Sequence, residues 1–191
     1  MPSVPTSGSV PPPPPPPVWD ARPPETAVHY AGFWIRVVAA IVDGIALWIV
    51  WSLIVLVLPA ETTAPVPEDA DFEAWIEYAN SLISPRQMIV YAAIVWAYFA
   101  FQESSSAQAT LGKRMMGIRV STESGGRLSL LTASLRAWPI YLPSVAALAG
   151  SSVSTLVGLI AFVSCIAVAF SARKQGLHDK MAGAVLTRRQ A

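Results

Sequence analysis

The sequence has few charged residues, one cysteine and two histidines, and each shortage excludes a class of protein. Charged residues make up 13% of the 191 residues, 53% are hydrophobic, and the mean hydropathy is +0.48. This composition excludes an ordinary soluble domain of this size and predicts an integral membrane protein. The single Cys165 excludes an intramolecular disulfide and a thiolate metal cluster, and we expect it to be a small buried apolar side chain. Neither a metal site nor a cofactor is predicted.

Lysine and arginine are missing from residues 60–84, and this gap predicts the orientation in the membrane. That stretch instead carries six acidic residues: Glu61, Glu68, Asp69, Asp71, Glu73 and Glu77. The basic residues gather at 104–130 and from 171 onward, and because Lys and Arg beside short spans stay in the cytoplasm, both termini are predicted to be cytoplasmic. The net charge of +1 gives no basis for binding nucleic acid.

Four apolar segments fit this orientation, at about 33–58, 86–102, 131–149 and 153–171. About 20 apolar residues suffice to span the hydrocarbon core. Pro139 and Pro143 interrupt the third segment and predict a kink there. The predicted fold class is therefore an all-α membrane protein, a four-span helical bundle in contact with the lipid bilayer.

The first 30 residues cannot contribute to a packed core, because they include seven consecutive prolines at 11–17. We predict a disordered proline-rich tail, then a transmembrane domain over 31–187 and a basic C-terminal end at 188–191. The tail can be a flexible spacer or a ligand for a protein partner of the SH3 or WW kind, and the sequence leaves both interpretations open.

A small cytoplasmic sheet is predicted between the second and third spans. Met116, Ile118 and Val120 alternate with polar or small residues, which is typical of a strand, here over 114–121. The Ser-Gly-Gly sequence at 124–126 predicts a β-hairpin with its return strand near 127–130, and residues 184–187 can add a further strand.

Four charged residues are candidate ligand or ion-site residues. Arg36 and Asp43 lie in the first apolar segment, seven positions apart and so on one helix face, where we expect them to share neighbours. Arg136 and Asp179 reach the same side of the bilayer in the predicted topology, so all four are expected to converge in the cytoplasmic half of the bundle. A charge at the bilayer centre costs roughly 2.5–3.5 kcal/mol, so such residues mark either a structural ion pair or a transport site.

Three separated motifs resemble the RDD family of small bacterial membrane proteins. AGFWIRVVAAIVDGIAL carries Arg36 and Asp43, ATLGKRMMGIRV lies between the second and third spans, and GLHDKMAGAVL carries Asp179. The resemblance covers about residues 31–187 and implies a multi-pass protein of the bacterial inner or plasma membrane. It also implies transport of an unidentified ligand, and sodium–proton antiport has been attributed to a few members of the family.

Two functions remain open, and an enzyme is not predicted. Asp43 can exchange a proton for a cation in a transporter of small ligands or ions, which would require a homo-oligomer with so few spans. Alternatively, the charged residues join the helices of a non-transporting module that recruits a partner. A closed set of ion pairs would favour the module, and an Asp43 facing a wet cavity would favour transport.

His178, beside Asp179, is expected to be a surface histidine.

Overall fold

The computed structural model describes residues 28–57, 71–82 and 84–188. The predicted tail therefore lies almost wholly outside the described residues, as does much of the acidic loop. The described elements, in chain order, are α1 (Phe33–Val57), α2 (Phe72–Ser81), α3 (Pro85–Ser104), α4 (Leu111–Met115), β1 (Ile118–Thr122), α5 (Leu130–Arg136), α6 (Trp138–Ala146), a 3-10 turn (Ala147–Ala149), α7 (Ser151–Phe170), α8 (Leu177–Met181) and β2 (Ala184–Arg188).

Among the described residues, two helices are long and apolar enough to cross a membrane, α1 with 25 residues and α7 with 20. At about 1.5 Å per residue, α1 is about 37 Å long and α7 about 30 Å, against a hydrocarbon core of about 30 Å. The second predicted span corresponds to α3, which also has 20 residues and begins at a capping box formed by Ser84 and Gln87.

The third apolar segment is broken into two helices, as its prolines predict. The break is at Ala137, between the end of α5 and the start of α6. Pro139 lies in the first turn of α6, where a missing N–H costs nothing, and Pro143 lies inside it. Gly150, with φ of +117°, then separates the 3-10 turn from α7.

The small sheet is an antiparallel pair of β1 and β2, so the expected participation of residues 184–187 is confirmed. Its free edge on the β2 side is extended by the chain before α1, since Ala31 N–H donates to Leu186 and Arg188 N–H donates to His29. The sheet thus joins the beginning, middle and end of the described chain.

The predicted hairpin with a return strand near 127–130 is wrong. After β1 the chain turns between Thr122 and Gly126, but Leu128 is then buried in the core beneath the sheet. Ser129 accepts a hydrogen bond from Thr132 N–H and so begins α5 instead of a strand. The strand also begins later than predicted, because Gly117 with φ of +66° separates it from the helix at 111–115.

A structural repeat relates two parts of the chain, which we call unit one (residues 85–122) and unit two (residues 151–188). Each unit contains a helix of 20 residues, a helix of five and a strand of five. Every boundary in unit two lies 66 residues after its equivalent in unit one, from Pro85 and Ser151 to Thr122 and Arg188. Positive φ angles recur at the same spacing, at Gln108 and Lys174 and at Gly117 and Gly183.

The sheet pairs the two units symmetrically. Val120 faces Leu186 at the centre of the ladder, and these residues are equivalent in the two units. A two-fold axis therefore passes through this pair and relates β1 to β2. The repeat is weak in sequence, because the units are identical only at five pairs of positions: Ile94 and Ile160, Ser105 and Ser171, Leu111 and Leu177, Met115 and Met181, and Gly117 and Gly183.

Two apolar clusters hold the described residues together. One lies beneath the sheet and contains Ile118, Val120, Leu128 and Leu186 with small residues of α1 and α5. The other packs Leu47 of α1 against Val95 and Phe99 of α3. Cys165 belongs to neither and is exposed on α7, so the expectation of a buried cysteine is wrong. Its neighbour Ser164 is the residue that faces inward.

Candidate functional site

Five charged side chains from five helices form one chain of ion pairs, which we call the charged network. Glu103 at the end of α3 accepts from Lys113 of α4 on one carboxylate oxygen and from Arg136 of α5 on the other. Arg136 also binds Asp179 of α8, with Nε 2.8 Å from Oδ1. Asp179 in turn accepts from Arg36 of α1, with Nη1 2.6 Å from Oδ2. The network therefore joins the N-terminal end of α1 and the C-terminal ends of α3 and α5 to the short helices α4 and α8.

Asp179 is the centre of the network and is fully buried. Besides the two guanidinium groups, the backbone N–H of Gly176 donates to Oδ2 at 3.1 Å. Burial alone would raise the pKa of Asp179, but the positive charge of Arg136, with that of Arg36, more than offsets burial and holds the pKa well below its usual value. Asp179 is therefore a permanent anion at neutral pH.

Arg36 ties the start of α1 to the chain before α8. Its Nε donates to the carbonyl of Ala31 at 3.0 Å, and its second terminal nitrogen donates to the carbonyl of Lys174. Lys174 has φ of +52°, which turns its carbonyl toward the network. The planar guanidinium group thus bridges three parts of the chain at once.

Asp43 does not join the charged network, and the expectation that it shares the neighbours of Arg36 is wrong. Seven residues return to the same helix face but are about 10 Å further along α1. There Asp43 accepts hydrogen bonds from Tyr98 Oη at 2.7 Å, Thr110 Oγ1 at 2.6 Å and Gly112 N–H at 2.7 Å. It is only 1% exposed, and both of its carboxylate oxygens are occupied.

Gly112 allows α4 to approach α1 closely enough for these contacts. A Cβ atom there would lie 2.1 Å from the carbonyl oxygen of Ala39, closer than any side chain can pack. Gly176 has the same role beside α7, where a Cβ would lie 2.4 Å from the carbonyl oxygen of Ser164. Both short helices thus fold back against long ones.

His178 is buried, so the expectation of a surface histidine is wrong. Its Nδ1 lies 2.9 Å from Ser164 Oγ, its backbone N–H donates to the same hydroxyl, and its Nε2 is 3.4 Å from Asp179. Burial lowers the pKa of His178 to about 4, although Asp179 favours the protonated form. The imidazole is therefore neutral at pH 7.

The structure brings Arg36, Arg136 and Asp179 together, as expected from the sequence, and leaves Asp43 in a separate hydrogen-bonded group. Sequence reasoning missed Glu103 and Lys113, both of which are buried. Burial lowers the pKa of Lys113, but Glu103 favours the charged form. The four predicted residues, two arginines and two aspartates, already balance in charge, so charge counting gave no signal for this further pair.

The arrangement can fix helices in place, and its charges balance when Asp43 is counted together with the charged network. Three cations (Arg36, Lys113 and Arg136) accompany three anions (Asp43, Glu103 and Asp179). Removing one member of a buried pair typically costs about 3–5 kcal/mol, because the partner charge stays buried. In the ranges 28–57, 71–82 and 84–188, no group of three or more His, Cys, Asp or Glu side chains is arranged to hold a metal ion.

An apolar cavity of about 780 Å³ lies between α1, α3 and α6. Its lining includes Leu47, Trp48, Trp51, Tyr91 and Phe99. Of the described residues that line it, none belongs to the charged network, and Asp43 is not among them. The cavity therefore offers a site for apolar groups and not for a hydrated cation.

Comparison with known proteins supports the membrane assignment. The chain is 30% identical over 153 residues to the uncharacterized protein YxaI of Bacillus subtilis (strain 168), covering 78% of this chain and 91% of that protein. It is also 30% identical over 154 residues to the uncharacterized membrane protein YteJ of the same organism, covering 80% and 77%. No solved structure matches.

Residues 30–183 match the sequence model of the RDD family. That range includes α1 to α8 and every residue of the charged network. The chain is a membrane protein that belongs to the RDD family.

Proposed function

We propose that this chain is a non-transporting membrane module. The charged network and the Asp43 group fix the cytoplasmic ends of its helices, so that the basic cytoplasmic face and the proline-rich tail can recruit a partner protein. The module has no catalytic role: Ser164, His178 and Asp179 lie in a row, but the serine hydroxyl is buried and already accepts from the His178 backbone.

The environment of Asp43 carries this proposal. An exchanging carboxylate must meet water or a cation at some stage, but both oxygens of Asp43 are bonded within the protein, one to Thr110 and the other to Tyr98 and Gly112. A bound cation would have to displace these donors. The closed set of contacts therefore favours a structural role over exchange.

The proposal includes four spans, with both termini on the cytoplasmic side of the plasma membrane. The structural repeat supports this topology, because α3 and α7 are equivalent helices of equal length that lead into paired strands. If α7 ends at the cytoplasmic face, α3 does so too. A cysteine introduced at position 69, tested in a variant in which Cys165 is replaced by serine, would react with an impermeant reagent only from outside the cell.

The test of the function is ion flux in liposomes that contain the purified chain. We expect no sodium-driven proton flux above that of empty liposomes, while a known sodium–proton antiporter in parallel liposomes gives a clear signal. Asp43→Asn should lower the melting temperature, because an amide cannot accept from all three donors and each unpaired buried group costs about 1–3 kcal/mol. The exposed Glu123→Gln is the matched control. A wild-type flux that disappears in a well-folded Asp43→Asn variant would refute the proposal.

Transport or binding of a small apolar ligand is a second candidate, favoured by the cavity beside Leu47 and Phe99. Gly44 lines this cavity, and a Cβ atom added there meets nothing within 4 Å. Gly44→Phe should therefore fill the cavity without disturbing the fold. Loss of binding of an apolar fluorescent dye in this variant would support this candidate if Gly158→Phe binds the dye normally. Gly158 lies on α7 outside the cavity lining, and a Cβ added there also meets nothing within 4 Å.

A further inference from the structure

The short helices α4 and α8 occupy equivalent places in the two units. Each follows its long helix after the same number of residues, but α4 packs against α1, whereas α8 packs against α5 and α7. The N–H of Leu111 donates to Tyr98 Oη, and the N–H of His178 donates to Ser164 Oγ. Both hydroxyls belong to residues six positions before the end of their helix, so Tyr98 and Ser164 are equivalent positions of the two units.

The two short helices also show the same pattern of exposure. On α4, Leu111 and Met115 are 44% and 62% exposed; on α8, the equivalent Leu177 and Met181 are 47% and 50% exposed. An exposed cation lies between the apolar side chains in each case: Arg114 on α4 and Lys180 on α8.

The opposite faces of these helices are buried against other parts of the protein. On α4 that face contributes Gly112 and Lys113, and on α8 it contributes His178 and Asp179. The exposed Leu, cation and Met of each helix are thus held in one orientation by the charged network and the close glycine contacts. We call these two exposed faces the twin patches.

We propose that the twin patches bind anionic phospholipids of the leaflet that surrounds the cytoplasmic ends of the helices. In this proposal the two exposed apolar side chains of each patch contact the acyl chains, while the cation between them reaches outward to a lipid phosphate. Charge complementarity favours an anionic over a zwitterionic headgroup. A leucine, a cation and a methionine recur at equivalent positions of the two units. This recurrence argues that both patches bind the same kind of ligand.

The proposal can be tested by native mass spectrometry of the full-length chain in detergent, titrated with phosphatidylglycerol or phosphatidylcholine. We expect two phosphatidylglycerol molecules to bind more tightly than phosphatidylcholine. Arg114→Gln and Lys180→Gln should each weaken one site about five-fold, as expected for one cation near a charged membrane surface. The matched control is Arg188→Gln, which removes an exposed cation at the end of β2, outside the twin patches.

The apolar half of each patch needs its own variant. Met115→Gln and Met181→Gln keep the cations and should also weaken phosphatidylglycerol binding, because the acyl chains lose their contact. If these variants bind as tightly as wild type, the patches bind a free anion and not a lipid, and the proposal fails.

Two further outcomes would overturn the proposal. One is equal affinity of the wild type for the two lipids, or equal loss in Arg188→Gln and Arg114→Gln. The other is a wild-type dimer without added lipid that Met115→Gln or Met181→Gln converts to a monomer, which would show that the patches contact a second copy of the chain. All substituted side chains are exposed, and melting temperatures would verify folding.

Discussion

The two units have the same order and lengths of helices and strands but opposite chemistry at the positions where they meet. Lys113 in unit one is equivalent to Asp179 in unit two, and both are buried in the charged network. The hydroxyl beside each short helix comes from Tyr98 in one unit and from Ser164 in the other. The two units thus share their helices and strands but differ in the charge of equivalent buried residues.

The charges show why the units cannot be identical. Lys113 binds Glu103, Asp179 binds Arg136, and Glu103 and Arg136 bind each other, so the chain of pairs passes from unit one to unit two. A second aspartate at position 113 would face Glu103 at contact distance, and the two buried anions would repel. The opposite charges therefore specify which half packs against which.

The largest effect is expected from breaking the network at its centre. Asp179→Asn leaves Arg36 and Arg136 without their shared anion, and we expect a loss of about 3–5 kcal/mol in the free energy of unfolding. Thermal unfolding of the full-length chain in detergent measures this loss. Glu123→Gln is the control, because it removes an exposed pair with Arg173 that is worth about 0–1 kcal/mol. Equal effects of the two variants would mean that the network contributes no more than a surface pair.

The next effect depends on pH and is specific to unit two, whose His178 is equivalent to Gly112 in unit one. The pKa of His178 is lowered from 6.5 to about 4 by burial, so between these pH values the unfolded chain binds a proton that the folded chain does not. The stability from the neutral imidazole is therefore complete above pH 6.5 and falls as the pH drops toward 4, by up to about 3 kcal/mol.

Melting temperatures of wild type and His178→Gln, measured from pH 7 to pH 4, test this expectation. The wild type should lose stability over this range, and the variant should lose much less. Asp179 contributes in a different range, because its pKa is depressed and its stabilising effect is lost only below about pH 4, the usual carboxyl range. Parallel curves for the two proteins between pH 6.5 and 4 would contradict this role of His178.

The sequence predicted the helices and three members of the network because those signals are local. A charge inside an apolar segment, such as Arg36 or Arg136, is conspicuous along the chain. Glu103 and Lys113 were missed because they lie at the end of an apolar run or beyond it, where charges are common. Their burial results from packing between distant parts of the chain.

The hairpin was wrongly predicted and the structural repeat was missed, because the strand pairing and the repeat both depend on relations between distant parts of the chain. Ser-Gly-Gly at 124–126 is a good turn sequence, so it predicted a hairpin, but β1 found its partner in β2, 66 residues away. Nothing local favours that pairing over the hairpin, except that the β2 sequence can also form a strand. The repeat was missed because the element boundaries and the positive φ angles are retained, while the residue types differ at nearly all equivalent positions.

A smaller effect is expected at the close contact of α4 with α1. Gly112→Ala places a Cβ within 2.1 Å of the Ala39 carbonyl oxygen, so α4 must move away and loosen its hold on Asp43. Overpacking of this kind typically costs about 1–3 kcal/mol. Gly44→Ala on α1, where a Cβ meets nothing within 4 Å, is the matched control and should not destabilise the chain. A stable Gly112→Ala variant would show that α4 can shift without cost.

The smallest expected effect is the difference in stability between two variants that each lack one of the equivalent hydroxyls, Ser164→Ala and Tyr98→Phe. Ser164→Ala removes the only hydrogen-bond acceptor that the structure gives the buried N–H of His178, among the described residues, and a partner of its Nδ1. Tyr98→Phe also removes two contacts, but Asp43 keeps Thr110 and Gly112, and the N–H of the half-exposed Leu111 lies nearer to solvent. Because an unpaired buried group costs about 1–3 kcal/mol and an ordinary hydrogen bond about 0.5–1.5 kcal/mol, Ser164→Ala should be the more damaging variant by about 1 kcal/mol. Urea or thermal unfolding of both variants in the same detergent measures the difference. The hydroxyl control is Ser52→Ala, an exposed residue outside both units whose hydroxyl donates to the carbonyl of Trp48 one turn earlier. A larger loss in Tyr98→Phe would reverse the comparison and make the Asp43 group, rather than the His178 contact, the tighter of the two.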